Sequence, residues 1–289
     1  MRPTRPHRLA FSIVRLLGRP SAGMIGGLGL LTPALALADC NLATPASGQN
    51  VICTSSAPNP FTGGIIAQAG STGVSVTIES GAGLQPAASP GIHLRDQSRA
   101  DNSGGIILAA GNTWDAMFAE GAGNTLTNRG TVDTAGDNAD GMQANGSGNV
   151  LDNAAGGSIV TRGANANALF SNGGSNNQLS NAGSITTRGA GAAGFRINGG
   201  SGHVLSNSGS ILAQGAGAAG VQSSGAGTLT NTGSIVSQSG IGVAFTGGAG
   251  NTVINHGDIR GATSAVGFGS GDDLVELHAG TVTGPGDQG

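Results

Sequence analysis

The stretch Leu179-Ser180-Asn181-Ala182-Gly183-Ser184-Ile185-Thr186-Thr187-Arg188 returns 26 residues later as Leu205-Ser206-Asn207-Ser208-Gly209-Ser210-Ile211-Leu212-Ala213-Gln214. Outward from it, the opening L-x-N step recurs at Leu126-Thr127-Asn128, Leu151-Asp152-Asn153 and Leu229-Thr230-Asn231, with Val253-Ile254-Asn255 as a variant. A G-S-I step follows each one: Gly157-Ser158-Ile159, Gly233-Ser234-Ile235 and the variants Gly130-Thr131-Val132 and Gly257-Asp258-Ile259. The unit closes with a short apolar patch, such as Phe195-Arg196-Ile197 or Val243-Ala244-Phe245, and a Gly-rich turn.

Spacing decides the architecture. From Asn128 the Asn positions advance by 25, 28, 26, 24 and 24 residues. Three short strands, each followed by a turn, fill that length. Each patch alternates apolar and polar, the period of a strand. Gly is too frequent for helices. A leucine-rich repeat of similar length needs several leucines at fixed offsets, and each unit here offers one. The sequence therefore predicts an all-β, right-handed parallel β-helix of about nine three-strand coils, roughly 40 Å long at the ordinary strand spacing. Ile159, Ile185, Ile211, Ile235 and Ile259 are expected to form an interior aliphatic ladder. Thr161, Thr187, Ala213 and Ser237 should point inward, and Arg162, Arg188, Gln214 and Gln238 outward. Asn128, Asn153, Asn181, Asn207, Asn231 and Asn255 are expected at one corner as a structural amide ladder; a carbohydrate-binding row is the other reading. Val76-Thr77-Ile78, Ile92-His93-Leu94, Ile106-Ile107-Leu108 and Ala116-Met117-Phe118 read as earlier coils.

Composition agrees with stacking of small side chains. The 289 residues include 56 Gly, only 3% aromatic and 9% charged residues, yet 37% are hydrophobic. Disorder usually brings high charge and low hydrophobicity, and this chain has neither. Residues 1–38 read as a signal peptide. Arg2, Arg5, Arg8, Arg15 and Arg19 form its basic region, Ala22 to Leu31 its apolar run, and Ala36-Leu37-Ala38 a cleavage site. An N-terminal membrane anchor is the other reading, although the run is shorter than a membrane span. All 12 basic residues are Arg; removing these five leaves 7 − 15 = −8 for the mature chain. That balance argues against nucleic acid as a partner. Residues 39–61 are expected to cap the N-terminal end, and residues 62–289 to form the β-helix. Cys40 and Cys53 should pair in an oxidising compartment, closing a loop worth roughly 3 kcal/mol.

The repeated N-x-G-S-I step, joined to the late motif Gly269-Ser270-Gly271-Asp272-Asp273-Leu274-Val275-Glu276-Leu277, resembles the passenger region of bacterial autotransporters, the type V secretion proteins. The paired cysteines after a long basic leader also resemble the family. The resemblance implies export to the cell surface, the outer membrane or the medium, and a C-terminal outer-membrane barrel. No run of barrel strands with aromatic girdles lies before Gly289, so the sequence reads as a piece of a longer chain or as a passenger without its translocator.

The acidic group Asp272, Asp273 and Glu276 could hold Ca²⁺, or form a solvated turn. His256 and His278 could approach each other on adjacent coils. Trp114, Met117 and Phe118 read as core or cap residues. Glycine pairs such as Gly146-x-Gly148 lack the Lys and helix of a phosphate loop and read as turns. No catalytic, cofactor-binding or metal-ligating residue is assigned. The expected function is a non-catalytic, monomeric passenger with an adhesin-like or display role, its partners being molecules on a host or neighbouring cell. A polysaccharide-active, pectate-lyase-like enzyme is the alternative, disfavoured because no acidic residue lies between Asp152 and Asp258.

Overall fold

The computed structural model describes residues 40–57 and 59–285. The expected signal peptide lies outside them. Every regular element among the described residues is a β-strand, 28 in all. They form three parallel sheets of ten, nine and nine strands. The first runs from Asn50–Cys53 to Leu274–Leu277, the second from Gly83–Leu84 to Thr281–Thr283, and the third from Ile65–Ile66 to Ser264–Phe268. Each coil visits the three sheets in turn, and its strands pair with those of the coils before and after. The result is a β-solenoid of about nine turns.

The register is column upon column. Ile159 pairs with Ile185, Ile185 with Ile211, Ile211 with Ile235 and Ile235 with Ile259, all fully buried. Leu126, Leu151, Leu179, Leu205, Leu229 and Val253 form the matching column of the first sheet. Met117, Met142, Leu169, Phe195, Val221 and Val243 form that of the third. The three columns meet on the axis, and close packing there depends on glycines. A Cβ on Gly194 would lie 2.3 Å from Ile211 Cγ2, and one on Gly220 would lie 2.3 Å from Ile235 Cγ2.

The second-sheet strands end on Thr134, Thr161, Thr187, Ala213 and Ser237, all buried. Most hydroxyls here are satisfied locally: Thr134 donates to the Ala139 carbonyl at 2.7 Å, Thr161 to that of Ala166 at 2.6 Å and Ser237 to that of Ala218 at 2.7 Å, whereas the buried Thr187 hydroxyl has no hydrogen-bond partner. Arg162, Arg188, Gln214 and Gln238 are exposed.

The corner between first and second sheets holds the amides. Asn128 Nδ2 donates to Asn153 Oδ1 at 2.8 Å, and the chain of bonds continues through Asn181, Asn207, Asn231 and Asn255 at 2.7–2.8 Å. Asn102 extends it one coil earlier. Spare amide hydrogens go to backbone carbonyls, as from Asn153 to Ser184 at 3.2 Å. The following glycine is there for room: a Cβ on Gly183 would sit 2.1 Å from the Gly157 oxygen.

Cys40 and Cys53 form a disulfide with Cα atoms 4.0 Å apart. The segment expected to act as a cap does more than cover the end, because Asn50–Cys53 pairs with Ser75–Ile78 as the first strand of the first sheet.

Within the amide column each side chain must donate on one side and accept on the other. Asn181→Ala strands one donor and one acceptor, and is expected to destabilise the fold by about 2–4 kcal/mol. Asn181→Asp places an acceptor against Asn207 Oδ1 and should be worse. Urea midpoints of the two variants check this; equal stability of Asp and wild type would show that the column is not held by directional bonds.

Candidate functional site

The outward side chains of the third sheet also form a column, but its members differ from coil to coil. Ile66, His93, Phe118, Gln143, Phe170, Arg196 and Gln222 are successive register partners. They face outward yet are only half-exposed, and residues of the corner between the second and third sheets stand beside them. The row is thus the floor of a groove along the solenoid axis. Two adjoining hollows of about 420 and 450 Å³ lie in it, divided by Gln143. Such volumes are ordinary for ligand sites.

One wall is the corner between the second and third sheets. In five successive coils this corner has one length, from Ala109, Thr134, Thr161, Thr187 and Ala213 to Met117, Met142, Leu169, Phe195 and Val221. Equivalent residues are therefore read directly. The left-handed position is Asn138 (φ 54°), Asn165 (φ 55°), Gly191 and Gly217 in the later coils, all suited to it, but Thr113 (φ 61°) in the earliest. A β-branched residue there is strained. The next position is a buried Ala139, Ala166, Ala192 or Ala218, whereas Trp114 in the earliest coil stands 36% exposed over the first hollow. Gly111 is required beneath it, since a Cβ there would lie 2.2 Å from Trp114 Cδ1. The expectation of core or cap positions for Trp114, Met117 and Phe118 is therefore corrected for the first and the last. Only Met117 is inside; Phe118 occupies the outward phase of its strand, and an indole does not fit where the other coils hold a methyl group.

The position after that is Asp115, Asp140, Asn167 and Ala193, a second polar column. Asp115 Oδ1 accepts the Asp140 amide N–H at 2.8 Å. Asp140 Oδ1 accepts both the backbone and the side-chain N–H of Asn167, at 2.6 and 2.9 Å. Asn167 Oδ1 accepts the Ala193 N–H at 3.0 Å. The free Oδ2 atoms of both aspartates face Gln143, whose amide, turned nitrogen-inward, donates at 2.8 and 3.2 Å. Burial, and then repulsion from Asp140, holds the Asp115 carboxyl well above the usual range. Burial likewise pushes Asp140 to about 7, opposed by the Asn167 bonds and the Arg196 charge. The pair therefore retains a proton where ordinary aspartates have lost theirs.

The other ionisable side chains of the groove have close partners. Burial and the neighbouring Arg95 lower His93 to about 4, so its ring is neutral at physiological pH. It lies 3.2 Å from Glu120, which also pairs with Arg95. The His93 and Phe118 rings are 4.6 Å apart. Arg196 sits 5.9 Å over the Phe170 ring and donates to Gln222 at 3.0 Å.

The residues singled out from sequence lie elsewhere. The Asn128–Asn255 column is buried at a different corner. Asp273 belongs to a third polar column, at the corner between third and first sheets, where Asn124, Asn149 and Asn177 precede it. It accepts the backbone and side-chain N–H of Asn251, each at 2.9 Å. His256 and His278 stack with centroids 4.3 Å apart, and His278 meets Glu276 at 3.5 Å. Arg162 is bound through two nitrogens to Asp133, at 2.9 and 2.5 Å. Among the described residues no group of three or more His, Cys, Asp or Glu is placed to hold a metal ion. Sequence reasoning missed the aspartate column, though a signal existed: Asp115, Asp140 and Asn167 each stand two residues before the inward residue of a third-sheet strand.

No family model matches this sequence, and no curated protein or solved structure is significantly similar to it.

The protonated pair makes stability depend on pH. A carboxyl that holds its proton more tightly when folded stabilises the fold fully below the ordinary value near 3.8, and that contribution is lost as pH rises through about 7. The urea midpoint should therefore fall between pH 5 and pH 8. Asp140→Asn, which copies Asn167 one coil on, should flatten much of that fall and raise stability at pH 8 by an amount on the order of 1–3 kcal/mol. An unchanged pH slope would show that Asp140 is ionised throughout.

Proposed function

We propose that this chain is an exported, non-catalytic β-helical passenger with an adhesin-like role, engaging molecules on a neighbouring or host cell surface through the groove of the third sheet. The carrying observation is the groove itself. A repetitive scaffold holds a non-repeating outward row, His93 to Gln222, in one line, and many modest contacts along a rigid line give avidity. The rod is right-handed, the hand that parallel strand–connection–strand units overwhelmingly take. Export is supported by the leader-like residues 1–38 and by the Cys40–Cys53 disulfide, a bond that persists in oxidising compartments. The likeness of the repeat and late motif to autotransporter passengers supports delivery to the surface with an outer-membrane barrel as the translocating partner. The mature chain acts as a monomer.

One observation favours a polysaccharide-active enzyme: Asp115 and Asp140 are two carboxyls on adjacent coils, with raised proton affinity, beside a groove. Against catalysis, one oxygen of each is committed to the backbone N–H of the next coil. Carboxyls so engaged suit a fixed recognition surface better than proton shuttling.

The fluorescently labelled protein, purified after export, is expected to bind intact cells saturably. A Phe118→Ala/Phe170→Ala variant with unchanged melting should lose at least ~80% of that binding, the loss expected from removing two aromatic anchors. Full binding by the variant would sink the assignment of the groove.

A further inference from the structure

We infer that the groove takes a neutral, extended β-linked glycan, laid along the solenoid axis with Phe118 and Phe170 as stacking platforms. This rests on the groove being the binding surface and names its ligand.

The spacing of the rings is the first argument. Phe118 and Phe170 belong to one register column with Gln143 between them. Two coil steps separate them, about 9.6 Å at the usual strand spacing. That is the length of two linked pyranose rings in an extended chain. In a β-1,4 ribbon successive rings are turned over, so every second ring presents the same face to a flat support. An α-1,4 chain curls and leaves a straight row after a few rings. Aromatic rings bury the C–H face of a sugar as they bury other apolar surface.

The polar groups supply the second argument. Between the platforms lies Gln143, which bonds the Oδ2 atoms of Asp115 and Asp140; those two aspartates line the first and second hollow respectively, and Asn167 and Asn138 line the second. Amide and carboxyl groups fixed by buried bonds are suited to hydroxyls, which both donate and accept. Their rigidity comes from the backbone bonds described above, so little side-chain freedom is lost on binding.

Charge disfavours the acidic sugars. Arg95 is paired with Glu120, and Arg196 donates to Gln222. The centre of the floor presents carboxyls, on a mature chain of net charge 7 − 15 = −8. Asp140, pushed to about 7 by burial, is partly ionised at neutral pH and shares the second hollow with Arg196, so a uronate would have to compete with that carboxyl for the Arg196 charge. A peptide strand fits poorly for a different reason. From His93 to Gln222 each groove strand is already paired on both sides, so no open backbone edge remains there for strand addition.

Calorimetric titration of the exported, purified protein with cellohexaose tests this. Binding in the micromolar to millimolar range is expected. Phe118→Ala and Phe170→Ala should each weaken it roughly fivefold or more, Phe118→Trp should retain it, and Thr230→Ala on the first sheet should leave it unchanged. Cellobiose, too short to reach both rings, and maltohexaose and hexagalacturonate should each bind at least ~tenfold more weakly. No heat with cellohexaose at millimolar concentration, equal binding by the phenylalanine variants, or tighter binding of hexagalacturonate overturns the inference. Cell binding that needs Phe118 and Phe170 but resists competition by cellohexaose keeps the adhesin reading and overturns the glycan. Shortened products after long incubation support the glycan and overturn the non-catalytic reading.

Discussion

Everything in this molecule depends on like residues stacking on like. Parallel coils in register place each side chain about 4.8 Å from its counterpart in the next coil. A residue is admitted to a buried column only if it tolerates a copy of itself at that distance. Isoleucine does, by dispersion; asparagine does, because its amide is at once donor and acceptor; glycine does where backbones nearly touch. Ionised groups do not. The sparse charge of the chain follows from this condition, as does the near absence of large aromatic side chains from its interior.

The aspartate column is where that condition is strained. Asp115 lies one coil from Asp140, and both are almost fully buried. The structure resolves the conflict by giving each carboxyl a backbone donor, by sharing Gln143 between them, and by retaining a proton. A purely structural column would have used Asn throughout, as the first corner does and as Asn167 does one coil later. Strained Thr113, outward-turned Trp114 and these carboxyls fall in adjoining coils beside the same groove. Departures from a local rule that gather in one place mark a site.

The scaffold is legible in the sequence for the reason that it repeats. Asn128 to Asn255 and Ile159 to Ile259 recur at coil spacing, so the residue order alone reveals their columns. The groove is hidden for the complementary reason. His93, Phe118, Gln143, Phe170 and Arg196 share a register position but no chemical type, and a search for recurrence passes over them. Trp114 is misplaced by composition, which puts a lone indole in a core or cap. Only the registered corner shows that its counterparts are buried alanines. The column at Asn124, Asn149 and Asn177 does repeat, two residues before each L-x-N leucine, but His203 and Gly227 interrupt it.

The coils differ in length, and the difference is confined. Between Asn153 and Asn181 the unit grows to 28 residues by adding two at the first corner, Ala154 to Gly157, and one at the third, Gly173 to Asn176. The second corner keeps its length through the same coils. Through these coils the insertions leave the second-corner wall of the groove unaltered, so its backbone stays constant while its side chains vary. Such a surface can be rewritten one coil at a time, by point substitution alone. Through those five coils the side chains can change while the frame beneath them does not.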